Sequence, residues 1–385
     1  MGLKIGWLLS MKEAYSGKQV IRAGEKFLTD EIFDDEQSLN EAFDTLSYWR
    51  FSHEVALENA LSLLQEQSLK KDKNAIFAKR LKRFVSIVKK LRRFPEMKLK
   101  NMQDIGGCRA IVSNPKKIVQ IVRELRKRPE FKNGSGRIRS KDYIENPKDD
   151  GYRGYHLIGQ FDNGLGGKRS IELQIRTRLQ HDWATTLEIV DLFTGQALKS
   201  NQGECDWHEF FASVSQQFAI MESIHLFDTF TLMQKLSAYK ECIFALDEEA
   251  KKSCITAQHA AKKLNVIKRL EAYSNSLKIS DGRISENAFD GYALILVDTK
   301  KATVTTSLFE KSQNEAAEKE YVDAEKLAAS DKDLVVALVS TTAVGGIKEA
   351  YPNYFADSTD FILHLACIVK VEIEPKRSFL SRLFG

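Results

Sequence analysis

The 385-residue chain has few of the residues that staple or anchor a protein. Its five cysteines, Cys108, Cys205, Cys242, Cys254 and Cys367, are scattered, with no CxxC and no paired spacing. That argues against a disulfide framework or a zinc site and fits a reducing compartment. The seven histidines show no ligand spacing either. No apolar run reaches the roughly 18 residues that a membrane helix needs. The opening MGLKIGWLLSMKEAYSGK lacks a convincing secretory core and cleavage site, so the expected compartment is the cytoplasm. No internal repeat is visible. What remains, 43% hydrophobic and 29% charged, is ordinary globular composition, and the length predicts two or three domains.

Charge is present but unevenly spread. Residues 76–192 hold 27 Lys+Arg against 13 Asp+Glu, a net of +14, whereas the whole chain is +5 and the remainder therefore −9. Within that block run AKRLKRFVSIVKKL (78–91), DIGGCRAIV (104–112), RSKDYIENPKDDGYRGYHL (139–157) and IELQIRTRLQHDW (171–183). Positive charge gathered around a few carboxylates and a Gly-Tyr loop suits a polyphosphate with a metal ion.

The periodicities predict an α/β (α+β) protein. Residues 31–66 read as helical, with Ser38 and Glu41 at capping-box spacing, and 76–94 as a second helix ended by Pro95. Arg109–Val112 reads as a strand and Ile118–Leu125 as a helix. Tyr155–Phe161 and Ile171–Ile175 read as strands joined by the turn-rich DNGLGG, followed by a helix over about 178–193. The expected organisation is a helical segment over 1–75, an α/β domain over 76–192, a linker at 193–206 and a helical region over 207–280. A small C-terminal α/β domain over 281–372 and a basic-apolar tail at 373–385 follow. In that last domain, 292–297, 302–308 and 334–339 read as strands, and 314–329, 343–351 and 360–370 as helices.

Asp104 precedes Gly106 and Gly107 at a strand entrance, and strand alternation puts Glu172 and Gln174 on the face opposite Ile171, Leu173 and Ile175. Two carboxylates on neighbouring strands amid positive charge make a candidate Mg²⁺ seat, because magnesium takes one or two carboxylates plus substrate phosphates. The plainer alternative has Asp104 capping a turn and Glu172 pairing with Arg176. Arg80, Lys82 and Lys90 lie just before that seat and are either phosphate ligands or a solvated face. Lys141, Lys148 and Arg153 flank NPKDDGY, where Tyr152 either stacks on a nucleobase or closes the loop. His156 either meets phosphate or packs, and Trp183 reads as core.

Taken together, RLKRFVSIVKK, DIGGCR, KDYIENPKDDGYRGYH and ELQIRT resemble the synthetase domain of the RelA/SpoT family over residues 76–192. The resemblance implies a nucleotidyltransferase-like mixed sheet flanked by helices. It also implies an Mg²⁺-dependent transfer of the β,γ-pyrophosphate of ATP to the 3′-hydroxyl of GDP or GTP, making the alarmone (p)ppGpp. Position by position, Arg80 and Arg109 would sandwich the adenine, and Lys82 and Lys90 would hold the ATP phosphates. Asp104 and Glu172 would hold the metal, with Glu172 also activating the hydroxyl. Lys141, Lys148 and His156 would face phosphates, Tyr152 would stack on the acceptor base, and Gln174 and Arg176 would complete the acceptor side.

Two departures stand out. The family's Ser in GYxSxH is Gly154 here, which puts acceptor choice in doubt. The hydrolase half of the long members is missing, because His181–Asp182 has no accompanying His and acidic pair. Some synthetase-like relatives act as toxins that pyrophosphorylate the tRNA 3′-CCA end, restrained by a fused C-terminal domain that senses phage. The ten basic residues between Lys79 and Lys100 suit a tRNA backbone as well as ATP. A non-catalytic nucleotide-sensing module is a third reading. The expected partners are thus ATP, with GDP/GTP or a tRNA 3′ end, and no membrane. The reading also leaves room for a homo-oligomer and for a regulatory protein or phage trigger acting on residues 207–385, the half expected to repress the synthetase. AYPNYFAD (350–357) reads as a helix end turning back on its core, or as a partner patch.

Overall fold

In a computed structural model, residues 15–29, 35–194, 205–276, 278–279, 291–298, 300–301, 303–331, 333–340 and 358–373 are described. The chain divides into two compact units that do not follow chain order. The first comprises Met1–Glu145, Gly154–Arg178 and Asn275–Ala356; the second comprises Asn146–Arg153, Leu179–Ser274 and Asp357–Gly385. The expected helix over 343–351, the segment 350–357 and nearly all of the tail fall outside the described residues.

The first unit begins with three helices, α1 (Gly17–Lys26), α2 (Glu36–Phe51) and α3 (Glu54–Leu69). Ser16 and Gln19 cap α1 reciprocally. The helical reading of 31–66 needs two corrections. The chain breaks at Ser52 and His53 between α2 and α3, and the N-cap of α2 is Asp35, whose carboxylate accepts from the Ser38 N–H, not Ser38 itself.

A second correction concerns 76–94. Ile76–Leu81 is a strand, β1, and only Phe84–Arg93 is helical (α4). The helical period is real from Phe84 on, where Phe84, Ile87 and Leu91 are buried. Upstream, Ile76–Leu81 gains a full antiparallel pairing with β2 (Gly106–Val112), which overrides the local pattern. The ten basic residues between Lys79 and Lys100 therefore span a strand, a helix and a 3₁₀ turn at Leu99–Asn101 rather than one helix.

Helix α5 (Pro115–Leu125) follows, then β3 (Arg139–Asp142), β4 (Tyr155–Asp162) and β5 (Lys168–Thr177). The five strands form a mixed sheet in the order β1-β2-β5-β4-β3. β2 and β5 run parallel and the other neighbours antiparallel, with β4 and β5 the expected hairpin. One face is apolar, with Phe77, Cys108, Leu157, Leu173 and Ile175 buried under Ala60 and Leu64 of α3 and Ile121 and Leu125 of α5. Fully burying each such side chain contributes about 1.5–3 kcal/mol. Lys79 also points to this face, where Glu54 and Glu58 of α3 neutralise it. The register puts Arg80, Gly107, Arg109, Glu172, Gln174, Arg176, His156 and Lys141 together on the opposite face.

A second sheet, in the order β6 (Lys278–Ile279), β8 (Thr303–Glu310), β7 (Gly291–Asp298), β9 (Leu334–Ser340), completes this unit with α11 (Asn314–Ser330). The strands near 292–297, 302–308 and 334–339 and the helix near 314–329 match the sequence pattern. Their apolar side chains, among them Leu294, Phe309, Ala317 and Tyr321, pack on Tyr48 and Phe51 of α2.

The second unit is helical and contains α6 (Arg178–Thr194), α7 (Cys205–Ser223), α8 (Leu232–Ala245), α9 (Glu248–Lys263), α10 (Val266–Ser276) and α12 (Thr359–Val369). Phe210, Phe211 and Phe218 of α7 pack around Phe361 of α12. No helix among the described residues is long and apolar enough to cross a membrane.

Candidate active site

The first polar cluster of the site is a grip on Asp104. Lys82 follows β1 directly, and its N–H donates to the Ile105 carbonyl at 2.7 Å, which holds Lys82 beside the strand entrance that carries Asp104. Lys90 comes from the second turn of α4. The two ammonium groups take separate oxygens of the same carboxylate, Lys82 Nζ to Oδ2 at 2.9 Å and Lys90 Nζ to Oδ1 at 2.8 Å. Burial raises the Asp104 pKa, but the two lysines outweigh it and the carboxyl ends below its ordinary value. Burial also leads for Lys82, whose pKa is lowered despite Asp104. Asp104 is thus an ionised carboxylate between two cations, not a turn cap.

The second polar cluster is a hydrogen-bond chain across β4 and β5. His156 and Gln174 are direct cross-strand partners, with Lys141 next to His156 on the edge strand and Arg109 next to Gln174 on β2. Glu172 Oε1 accepts from His156 Nδ1 at 2.9 Å, and Oε2 accepts from Gln174 Nε2 at 2.7 Å. Arg176 Nη2 donates to Gln174 Oε1 at 2.7 Å. The plain pairing of Glu172 with Arg176 is therefore replaced by a relay through Gln174. Burial works to raise the Glu172 pKa, yet the hydrogen bond and charge of His156, then Gln174 and Lys82, bring it down to about 2. Lys82 acts on both carboxylates, which ties the two clusters together. Arg80 extends from β1 opposite Gly107, exposed and close enough to Lys82 to repel it.

Lys148 and Tyr152 belong to the second unit, in the loop at Asn146–Arg153. Gly151 has φ +90°, and a Cβ there would meet the Ala212 Cα at 2.9 Å, so only glycine lets the loop lie against α7. Ser215 Oγ donates to the Gly151 carbonyl at 2.5 Å, and Arg153 pairs with Glu222 at 2.7 Å. Tyr152 is 8% exposed, with its edge toward Trp183 and the Lys148 ammonium 4.7 Å from its ring centroid. A base stacking on Tyr152 requires Lys148 to move aside. Trp183 is core as expected, its indole N–H donating to the Phe211 carbonyl. Gly154 opens β4, and its carbonyl accepts from the Tyr143 N–H. Asp182 lies 3.9 Å from His364, and the described residues contain no group of three or more His, Cys, Asp or Glu placed for a metal.

Sequence reasoning missed Ser215 and Glu222, which hold the loop, and Arg50 and Glu325, described below. Nothing local marks them, because each meets its partner tens to hundreds of residues away.

Residues 79–189 match a family described as a region found in RelA / SpoT proteins. A GTP pyrophosphokinase, YjbM, of Bacillus subtilis (strain 168) is 37% identical over 111 residues, which cover 28% of this chain and 51% of that protein. The chain thus spans about half the length of this curated relative. Among solved structures, small alarmone synthetase 2 from Bacillus subtilis aligns at 25% identity over 45% of this chain and 93% of its own, with a TM-score of 0.38. Small alarmone synthetase 1 from the same organism, bound to its product pppGpp, aligns at 25% identity over 38% and 74%, with a TM-score of 0.33. Residues 79–189 thus match the region found in RelA / SpoT proteins, where the motifs had pointed.

Proposed function

We propose that the RelA/SpoT region of this chain moves the β,γ-pyrophosphate of ATP to the 3′-hydroxyl of GDP or GTP. The observation that carries the reading is the polar sheet face of Glu172, His156, Gln174 and Arg176, linked to the Lys82–Lys90–Asp104 cluster at the strand entrance through one shared lysine. The acceptor oxygen attacks the β-phosphorus, the bond from that phosphorus to the α,β-bridging oxygen breaks, and AMP leaves with the electron pair.

Lys82 and Lys90 carry the charge to bind the donor phosphates, and their move from carboxylate to phosphate releases the Asp104 oxygens. Asp104 and Glu172 are hard, ionised oxygen donors within the field of the same lysine, which fits magnesium. An ion held by Asp104 and Glu172 would supply charge neutralisation to the transferring phosphates. Arg80 and Arg109 present planar guanidinium groups for the adenine. With a pKa near 2, Glu172 is a weak base, so it acts by accepting the O–H and aiming the oxygen, and the hydroxyl proton is released to water as the new O–P bond forms. His156 and Gln174 fix that carboxylate, Arg176 fixes Gln174, and Lys141 supplies positive charge at the outer strand. Tyr152, uncovered by Lys148, offers the acceptor base a stacking surface.

One observation favours a tRNA 3′ end as the acceptor: residues 115–141 hold ten Lys+Arg against two acidic residues, more charge than a nucleotide engages. The deciding experiment offers γ-labelled ATP and Mg²⁺ with GDP, GTP or deacylated tRNA in separate reactions. Label on GDP or GTP supports the main reading. Label on tRNA alone supports the second, and transfer to none refutes both.

A further inference from the structure

Helix α4 brings Lys90 to Asp104, yet its own N-terminus carries no cap of its own. Its N-cap residue, Arg83, makes no capping side-chain hydrogen bond, and the first-turn amides of a helix need acceptors. The Phe84 N–H finds one far outside the RelA/SpoT region, donating to Glu325 Oε1 of α11 at 2.8 Å. Glu325 is itself locked. Its Oε2 pairs with Arg50 Nη1 at 2.6 Å, and the Tyr321 hydroxyl donates to its Oε1 at 2.5 Å. Arg50 Nη2 donates in turn to the Tyr321 oxygen at 2.6 Å, and the Arg50 side chain is fully buried. Phe84 packs beside this network, 4.3 Å from the Phe43 ring centroid and 4.8 Å from that of Phe27.

A carboxylate held at a helix N-terminus both satisfies an orphan amide and meets the positive end of the helix dipole. Lys82, two residues before α4, and Lys90, on α4, then reach the two oxygens of Asp104. We infer that Glu325 is a positioning residue for the donor site: from the C-terminal α/β segment it caps α4 and so sets where Lys82 and Lys90 meet the phosphates of ATP. The inference rests on the proposed role of those two lysines. It makes α11 a structural complement of the donor site rather than only a restraint on it.

The test isolates the one acceptor atom in the full-length chain. Replacing Arg50 and Glu325 together avoids leaving a lone buried charge, and such paired replacements are often tolerated. R50M/E325M removes the acceptor for the Phe84 N–H, whereas R50M/E325Q restores an amide oxygen at the same place. Melting temperature, hydrogen exchange over residues 84–93, and affinity for Mg²⁺ with a non-hydrolysable ATP analogue are compared. R50M/E325M is expected to exchange about fivefold faster over 84–93 and to bind the analogue about fivefold more weakly than R50M/E325Q. Equal exchange and equal affinity in the two variants would overturn the inference. In the parent protein, the Phe84 amide should be as protected as the second-turn amides of α4. Exchange at the rate of a bare helix start would overturn the inference without any variant. If the parent binds no ATP analogue the proposed function fails, while the exchange rates alone still decide whether Glu325 caps α4.

Discussion

Replacing Glu172 with glutamine separates the charge of this carboxylate from its geometry. Glu172 accepts two hydrogen bonds, from His156 Nδ1 and Gln174 Nε2. Glutamine keeps one acceptor oxygen and turns the other position into a donor, so one of the two contacts is lost. A lost hydrogen bond of this kind costs about 0.5–1.5 kcal/mol, or roughly tenfold in rate at most. Removing a charge that acts on the reacting centre costs more, on the order of 10²–10³ in turnover. We therefore expect Glu172→Gln to lose about a thousandfold in the rate of label transfer from γ-labelled ATP, with the affinity for ATP nearly unchanged because Lys82, Lys90 and Arg109 remain. The pKa of about 2 adds a second check: across pH 5–9 the parent rate should show no inflection from Glu172, since it stays ionised throughout. A drop of tenfold or less, or an ATP affinity that falls in step with the rate, refutes the assigned role.

Lys90→Met should weaken ATP binding about tenfold while leaving the fold intact, and a calorimetric affinity within twofold of the parent would count against Lys90 as a phosphate ligand. Ser215→Ala releases the Gly151 carbonyl from α7, so the Michaelis constant for the acceptor should rise severalfold with that for ATP unchanged. Glu318 of α11 is 4% exposed, and burial with the neighbouring Glu54 pushes its carboxyl from the ordinary 4.5 up to about 8. Its raised folded-state pKa means that its contribution is fully present below pH 4.5 and is lost as pH rises through about 8. Glu318→Gln should therefore stabilise the protein at pH 9 by on the order of 2–5 kcal/mol and do little at pH 4, as denaturant titrations at both pH values would show. Truncation near Ser200 removes α11 and the second sheet, which strips the apolar cover from Tyr48 and Phe51 of α2 and takes the Glu325 carboxylate from Arg50. The truncated chain should thus melt earlier and transfer less, and a truncated form more active than the full chain would favour pure repression by the C-terminal half.

Much of the site could be read directly from the sequence, because its pattern is local. Alternation alone places Glu172 and Gln174 on one face and Leu173 and Ile175 on the other, and DNGLGG between two apolar runs predicts the β4–β5 hairpin. The ordered motifs picked out Asp104, Lys82, Lys90 and His156, which the structure brings together with Glu172. The helical reading of 76–81 failed because a six-residue stretch carries too little period to resist a strand partner, and β2 supplied one.

Other features had no local trace. The sequence marks Arg50 as one more arginine in a helix, and only the fold gives it zero exposure and a partner 275 residues away. The same holds for the glycine-dependent seat of the loop at 146–153 on α7, and for Lys148 lying over the ring of Tyr152. The sequence by itself determined which faces are apolar and which polar side chains share the opposite face of a strand, because side-chain periodicity follows from backbone geometry within a few residues. Tertiary structure alone decided which charges are buried, which helix end is capped from afar and how low the Glu172 pKa falls. Those quantities depend on the distance to groups that only folding brings near, and electrostatic and hydrogen-bond energies change steeply over those few ångströms.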